Sequence, residues 1–299
     1  MNILLTGASG FVGKQVLASL LERGEKVHAV SRTHPRVEGA YEWHEGDVFD
    51  EATFLDLTKT LQPDCVIHLA WYVDHGKFWS AQENKAWKRA TLKLARAAAE
   101  AGARRFVATG TCYEYDWPDA EPCDERTTPV ADHTLYDRMK NETRLALEAL
   151  CTENAVSFSW ARLFFLFGPY EAPERLVASV ARALSSNKPA ACSTGRVVRD
   201  FMDVRDAGAA IAALALSNVE GPVNIGSGQP LTVAELVTRL AELSGRPHLL
   251  KLGTLPDREG EPSFIVARTK RLVEEVGYKT SHDLDEGLKN ALSFWRERT

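Results

Sequence analysis

Apolar positions in the first half of the chain fall into short blocks that alternate with segments of helical spacing. Asn2–Leu5 reads as a strand and Phe11–Arg23 as a helix closed by Gly24. Lys26–Val30 is a second strand, Tyr41–His44 a third, and Glu51–Leu61 a helix ended before Pro63. Asp64–Leu69 carries the continuous apolar run of a strand buried on both faces, and an alanine-rich helix follows over Ala81–Ala101. Arg105–Ala108 is the next strand, Thr134–Asn154 a helix, and Val156–Leu163 a strand again. This alternation predicts an α/β fold, a doubly wound parallel (Rossmann) sheet with helices on both faces.

Beyond Gly168-Pro169 the pattern loosens. A helix over Pro173–Ser186 precedes strand-like pieces at Arg196–Met202, a helix over Val204–Ser217 and a strand at Pro222–Ile225. Helical stretches follow at Thr232–Ser244, Lys270–Val276 and Leu284–Arg296. The expected division is a dinucleotide-binding unit over residues 1–165 that also receives elements near 197–225. A smaller, mostly C-terminal α/β lobe over residues 166–299 is left for the substrate, so the second unit is discontinuous.

Composition narrows the class. With 299 residues, 44% hydrophobic and 26% charged, the chain has the balance of a globular protein with a real core, which excludes disorder and fibrous repeats. The net charge of −5, without a run of either sign, argues against a nucleic-acid partner. Five widely spaced cysteines (65, 112, 123, 151 and 192) include no CxxC, which disfavours disulfides and a structural zinc site, and no metal ligand set stands out. The N-terminal segment lacks a basic n-region, and the longest apolar run, Ala207 to Leu216, is about half a membrane span. A cytoplasmic protein with no membrane partner is the expectation.

The first chemical signal is Thr6-Gly7-Ala8-Ser9-Gly10-Phe11-Val12-Gly13, between the first strand and the first helix. Gly7 allows the tight turn, Gly10 close approach of a pyrophosphate, and Gly13 close packing of helix on strand. The helix start, with Phe11 and Val12, offers free N–H groups to the phosphates. A P-loop is excluded, because Gly13-Lys14 is followed by Gln15 and Ala8 stands where its first glycine is needed. At the end of the second strand an acidic residue would bind the adenosine ribose and repel a 2′-phosphate. Here Ser31-Arg32 stands, with Arg36 nearby, which favours NADP(H) and leaves NAD(H) as the alternative.

The second signal is Tyr136-Asp137-Arg138-Met139-Lys140, which puts a phenol and an ammonium on one helix face. A phenol near pKa 10 is poorly matched to neutral pH, and an adjacent ammonium would favour the phenolate and draw that value down. The same lysine can hold the nicotinamide ribose.

With these motifs in place the chain resembles the extended short-chain dehydrogenase/reductase family of sugar-nucleotide epimerases, dehydratases and reductases. Gly46-Asp47-Val48, His68-Leu69-Ala70, the segment Gly110–Tyr115 with Thr111-Cys112-Tyr113 at its centre, Arg162–Phe165, Phe167-Gly168-Pro169, Pro173–Leu176, Arg199-Asp200-Phe201 and Asn224–Gly228 fall in the family's order over nearly the whole chain. The resemblance implies that Asp47 and Val48 contact the adenine and that Leu69 and Ala70 line the cofactor channel. It implies that Thr111 hydrogen-bonds the substrate oxygen, that Tyr136 is the acid/base and that Lys140 is its partner. It also implies that Arg199 and Arg258 meet a nucleotide diphosphate, while Arg175 and Leu176 begin a helix walling the sugar site. Members commonly dimerise through the helices near 81–101 and 134–152, so a homodimer is implied.

Departures from the family pattern narrow the reaction. Dehydratases of this family carry an Asp-Glu pair after the catalytic Thr, where Cys112 and Tyr113 stand. GDP-fucose synthases use a cysteine two places after the Ser/Thr, and Cys112 is only one place after, which makes it a packing residue. The family's 4-epimerases usually have an asparagine where this chain has Phe165. The remaining reading is NADP(H)-dependent reduction of an NDP-4-keto-6-deoxy sugar at C4. A sugar-nucleotide 4-epimerase and a non-catalytic dinucleotide sensor are the alternatives. Trp71, Tyr72, Phe78 and Trp79 after the fourth strand are candidates to shape the sugar pocket, and His75 is read as structural.

Overall fold

The computed structural model describes residues 1–299. Seven parallel strands form one sheet in the order Gly221–Ile225, Ser157–Leu163, Arg105–Thr111, Cys65–His68, Asn2–Thr6, Lys26–Ser31, Glu42–Glu45. The sheet is the Rossmann arrangement anticipated from the alternation of strand and helix. The strand order reverses between Asn2–Thr6 and Cys65–His68, and the crevice at the C-terminal ends of these strands is where such sheets take ligands.

Both faces are covered. On one side Ile3, Leu5, Val27, Ala29 and Ile67 pack against the helices Phe11–Glu22 and Val204–Leu216. On the other side Leu4, Val30, Val66, Phe106 and Trp160 pack against Glu51–Leu61, Glu83–Glu100 and Leu135–Glu153. The first helix pair approaches closely because Gly208 has no side chain; a Cβ there would lie 2.4 Å from the Gln15 Cβ.

The chain leaves the sheet after Leu163 and returns to it. Val198–Asp203 is the centre of a smaller sheet, parallel to Phe165–Phe167 and Phe264–Ile265 and antiparallel to Pro230–Thr232. The next helix, Val204–Leu216, and the strand Gly221–Ile225 rejoin the large unit. Leu176–Ser185, Val233–Leu243 and Leu284–Arg296 share a second core through Val177, Leu184, Leu236, Leu240, Leu288 and Trp295. Two segments that follow later in the chain meet at Asp200, which is fully buried and accepts the backbone N–H groups of Ser227, Gly228 and Ala267. No helix is long and apolar enough to cross a membrane.

Three elements differ from the sequence pattern. The strand predicted at Arg105–Ala108 continues through Thr109-Gly110-Thr111, because seven-residue pairing with Ser157–Leu163 outweighs the loss of apolar character. The helix predicted from Pro173 begins at Leu176, with Arg175 in an extended conformation as its N-cap. The stretch Lys270–Val276 forms a single wide turn at Arg271–Glu275, held where Leu272 enters the main core.

Candidate active site

The glycine turn has the geometry its spacing predicts. Gly7 has a φ of +73°, and a Cβ on it would meet the Ala70 nitrogen at 2.8 Å, so Leu69-Ala70 closes directly over the turn. A Cβ on Gly13 would lie 2.0 Å from the Gly7 carbonyl oxygen, which no side chain tolerates. Gly10 is the exposed N-cap of the first helix; no side chain caps that end and no acidic residue lies in its first turn. The N–H groups at Phe11, Val12 and Gly13 therefore face the crevice with the positive end of a helix behind them. This cradle fits a dinucleotide pyrophosphate.

Ser31, Arg32 and Arg36 follow the second strand. The Ser31 hydroxyl donates to the Thr33 carbonyl at 2.8 Å and accepts from Trp43 Nε1 at 3.2 Å, so its proton is already committed within the loop. Arg32 and Arg36 are exposed and make no ion pair. Lys14 leans towards them from the first helix and donates to the Pro35 carbonyl; burial, then the Arg36 guanidinium, lower its pKa. The Arg32 and Arg36 guanidinium groups, rather than the serine hydroxyl, are the free groups here. Asp47 is half-buried and accepts from the Phe49 N–H at 3.0 Å, and Val48 is buried beside Phe54.

Thr111, Tyr136 and Lys140 converge beyond the central strands. Thr134 opens the helix with a capping box, its hydroxyl and N–H both donating to the Asp137 carboxylate, which fixes the first turn that carries Tyr136. Tyr136 is 7% exposed, and the Thr111 hydroxyl is near enough to its phenol to favour the ionised form. Lys140 Nζ donates to the Thr109 carbonyl at 2.8 Å, sits 3.9 Å over the Trp71 ring and lies 5.9 Å from the Tyr136 ring centroid.

The electrostatics correct one expectation. The Tyr136 phenol is not drawn down by the lysine; burial pushes it well up, and the Glu114 and Asp137 carboxylates add to this while the Thr111 hydroxyl opposes it. Lys140 is itself lowered to about 7 by burial, against the pull of Glu114. In a dry pocket the desolvation of each charged form exceeds their mutual attraction. The result is a phenol that stays protonated across the physiological range.

Glu114 is the residue that motif reasoning missed. It is fully buried and accepts from the Thr111 N–H at 2.9 Å, Trp160 Nε1 at 3.0 Å and Arg162 Nε at 2.9 Å. Gly110 makes room for it, since a Cβ there would lie 2.3 Å from Glu114 Oε1. The glutamate thus fixes the backbone from which Thr111 projects. The signal in the sequence was an acidic residue inside an otherwise apolar strand end; its arginine lies 48 positions away.

Aromatic rings line the route to the smaller lobe. Phe78 and Trp79 meet Tyr136 edge-on at 4.8 and 5.9 Å, and Trp79 meets Tyr113 at 4.7 Å. Tyr113 in turn contacts Phe165 and Trp117, and its hydroxyl feels Arg199, Glu261 and Arg258. Cys112 is buried beside Tyr115 and Phe164, and burial pushes its thiol well up. His75 is exposed in the same loop.

Of the lobe residues, Arg199 is 2% exposed, donates to Glu261 at 2.9 Å and to the Val198 carbonyl, and lies 5.4 Å from the Phe165 ring. Arg258 is exposed in the loop that carries Glu261. Arg175 stands 3.6 Å from the buried Glu171, and Leu176 packs into the lobe core. Arg199 and Arg258 therefore both act on the Tyr113 hydroxyl, whereas Arg175 lies at the start of its helix with no contact to that ring cluster.

Residues 3–226 match the model of the NAD dependent epimerase/dehydratase family. The chain is 27% identical over 313 residues to a GDP-6-deoxy-D-mannose reductase of Pseudomonas aeruginosa, covering 99% of this chain and 98% of that one. It is 25% identical over 243 residues to a dTDP-6-deoxy-L-talose 4-dehydrogenase (NAD(+)) of Aggregatibacter actinomycetemcomitans, covering 79% and 88%. It is 24% identical over 320 residues to a UDP-glucose 4-epimerase of Rhizobium leguminosarum bv. trifolii, covering 97% and 96%. In fold it matches the UDP-glucose 4-epimerase of Thermotoga maritima solved with UDP-glucose, at a TM-score of 0.87 and 23% identity over 100% of this chain and 99% of that one.

Proposed function

Because the chain belongs to the NAD dependent epimerase/dehydratase family, whose members are NAD(P)-dependent enzymes of nucleotide sugars, we propose that it reduces an NDP-4-keto-6-deoxy sugar at C4. The observation that carries this reading is the Tyr136 phenol, held protonated by burial on the helix face that also carries Lys140. The other ionisable groups around Tyr136 are engaged elsewhere: Cys112 is a buried thiol, the Glu114 carboxylate is committed to Arg162, Trp160 and Thr111, Asp137 accepts from Thr134 at the helix start, and Lys140 donates to the Thr109 carbonyl. Elimination needs a further acid/base pair, whereas ketone reduction needs one proton donor.

Bound NADPH would supply the hydride. Tyr136 Oη gives its proton to the C4 carbonyl oxygen, which Thr111 Oγ1 orients from the other side. Lys140 stabilises the phenolate left behind. Hydride and proton together turn C=O into CH–OH, and the phenol is reprotonated from solvent. The aromatic walls at Trp79, Tyr113 and Phe165 offer an apolar surface to a deoxy sugar, and Arg199 with Arg258 would take the diphosphate. The diphosphate has to displace Glu261 from Arg199.

The preference for NADP(H) rests on Lys14, Arg32 and Arg36, which carry no carboxylate partner. Arg32→Ala is expected to weaken NADPH about tenfold, roughly 1.4 kcal/mol, with NADH changed little; equal loss of both cofactors removes the phosphate-clamp reading.

The second reading, a 4-epimerase that keeps its cofactor, is favoured by the relatives of that activity. Protein stripped of nucleotide and supplied with an NDP-4-keto-6-deoxyhexose separates the two. A reductase consumes one NADPH per sugar converted. Interconversion of 4-epimers with a catalytic amount of NAD, and no net NADPH loss, would overturn the proposal.

A further inference from the structure

Away from the active site, the register of the two edge strands brings together three side chains that the sequence keeps apart. His28 lies opposite Glu42 in the parallel pairing of Lys26–Ser31 with Glu42–Glu45, and His44 is two residues further along the same face. His28 Nδ1 and His44 Nε2 are 3.1 Å apart, and His28 Nδ1 and Glu42 Oε2 are 3.5 Å apart. All three donor atoms lie within 4.8 Å of one another. We propose that His28, Glu42 and His44 form a binding site for a divalent transition metal of the zinc type, with solvent completing the coordination.

Geometry supports the assignment. Nitrogen and oxygen ligands about 2.0–2.1 Å from a tetrahedral zinc ion stand about 3.3–3.4 Å from each other. The separations from His28 Nδ1 to its two partners, 3.1 and 3.5 Å, bracket that edge, so small side-chain shifts open the cluster around an ion. The ring centroids of the histidines are 5.3 Å apart with planes inclined at 34°, so their nitrogen edges meet rather than their faces.

Two imidazoles and one carboxylate are a donor set suited to zinc, cobalt or nickel and poorly suited to magnesium or calcium. His28 is 1% exposed, while Glu42 is exposed, which leaves the fourth position open to water. Lys26 Nζ stands 3.5 Å from Glu42 Oε1, which leaves Oε2 as the oxygen facing His28.

The rest of the surroundings sets the strength. His28 Nε2 is buried and has no hydrogen-bond partner. Ligation through Nδ1 puts the proton on that nitrogen without an acceptor, and a missing outer partner of this kind costs about 10–100-fold in affinity. The Lys26 ammonium also opposes a cation. The site is therefore a modest one, and its expected effect is to pin the edge strand Glu42–Glu45 to its neighbour. It is distinct from the active site and independent of the proposed reaction.

The test uses untagged full-length protein freed of metal by a chelator. Zinc titrated against a chromophoric competitor is expected to bind at about one equivalent per chain. Cobalt is expected to give the intense visible bands of a tetrahedral N/O site. At a zinc concentration about 100-fold above the dissociation constant the Tm rises by about 5 °C. His44→Ala and Glu42→Gln, both at accessible positions, abolish these signals while the far-UV spectrum and turnover stay unchanged. The proposal is overturned by the absence of saturable zinc binding, or by binding that either variant retains at wild-type strength; retention in Glu42→Gln alone leaves a histidine pair and refutes the three-ligand site.

Discussion

Tyr136→Phe is expected to lower kcat by about 10²–10⁴-fold, equivalent to roughly 2.7–5.5 kcal/mol of barrier, while the dissociation constant for NADPH stays within a few-fold. The ring is held by edge contacts with Phe78 and Trp79 and by the backbone bond from the Tyr136 N–H to the Trp79 carbonyl, all of which phenylalanine keeps. Only the hydroxyl beside Thr111 is lost. Turnover would be measured as NADPH consumption with a 4-keto sugar, and cofactor binding by nicotinamide fluorescence. A variant that turns over like the parent would remove Tyr136 from the chemistry, and with it the single-donor reading of the site. A variant that loses cofactor affinity to the same degree as kcat would instead make the residue part of the binding surface.

The protonation state sharpens this expectation. Burial holds the phenol protonated, which suits the direction in which a proton is given to a carbonyl. Oxidation of an alcohol needs the phenolate, and burial works against that form. The reductive rate in the wild type should therefore show no loss on passing from pH 6 to pH 8 that can be assigned to ionisation of this group. The lysine four residues on would have been the intuitive source of a lowered pKa, and spacing alone cannot tell whether attraction or desolvation wins. That balance depends on how dry the pocket is, which is a property of Trp71, Phe78 and Trp79 arriving from another loop.

The same distinction separates what was readable in the chain from what was not. Glu51–Leu61 and Leu284–Arg296 match their predicted limits, because helical periodicity and N-capping by Asp50 and Asp283 are local signals. The glycine turn was readable for the same reason, since the positive φ of Gly7 and the approach of Gly13 to the Gly7 carbonyl are local, whereas the closure of Leu69-Ala70 over Gly7 is not. The short strands Phe165–Phe167, Pro230–Thr232 and Phe264–Ile265 carry no periodicity of their own and exist through pairing with Val198–Asp203 and its neighbours. The resemblance implied a diphosphate partner for Arg199, and nothing in the sequence signalled Glu261, which closes over it from a loop 62 residues away. Ser31 read as a free donor, yet the Thr33 carbonyl takes its proton. Residue type was legible in these cases; the partner, and so the availability of the group, was set by tertiary contacts.

Glu114 is where such a contact should have the largest consequence for stability. Glu114→Ala removes the partner of Arg162, a guanidinium 2% exposed whose Nη1 already lacks a hydrogen bond, and strands the Trp160 and Thr111 N–H groups. Leaving one member of a buried ion pair costs about 3–5 kcal/mol, so the Tm is expected to fall by about 10 °C. Stability alone would make Glu114 a structural residue. A double variant distinguishes this from a positioning role: Glu114→Gln with Arg162→Met removes both charges and keeps an oxygen facing the Thr111 N–H. Replacing a buried pair by less polar groups is often neutral, so most of the Tm should return. If the carboxylate also serves the reaction, by fixing Thr111 and by holding charge on Lys140, kcat should stay depressed in the double variant with KM for the sugar changed little. Loss of the Glu114 charge also lowers the Lys140 pKa further, so a pH-profile limb that belongs to Lys140 should lie at lower pH in the double variant than in the parent. Recovery of kcat together with Tm would confine Glu114 to the core.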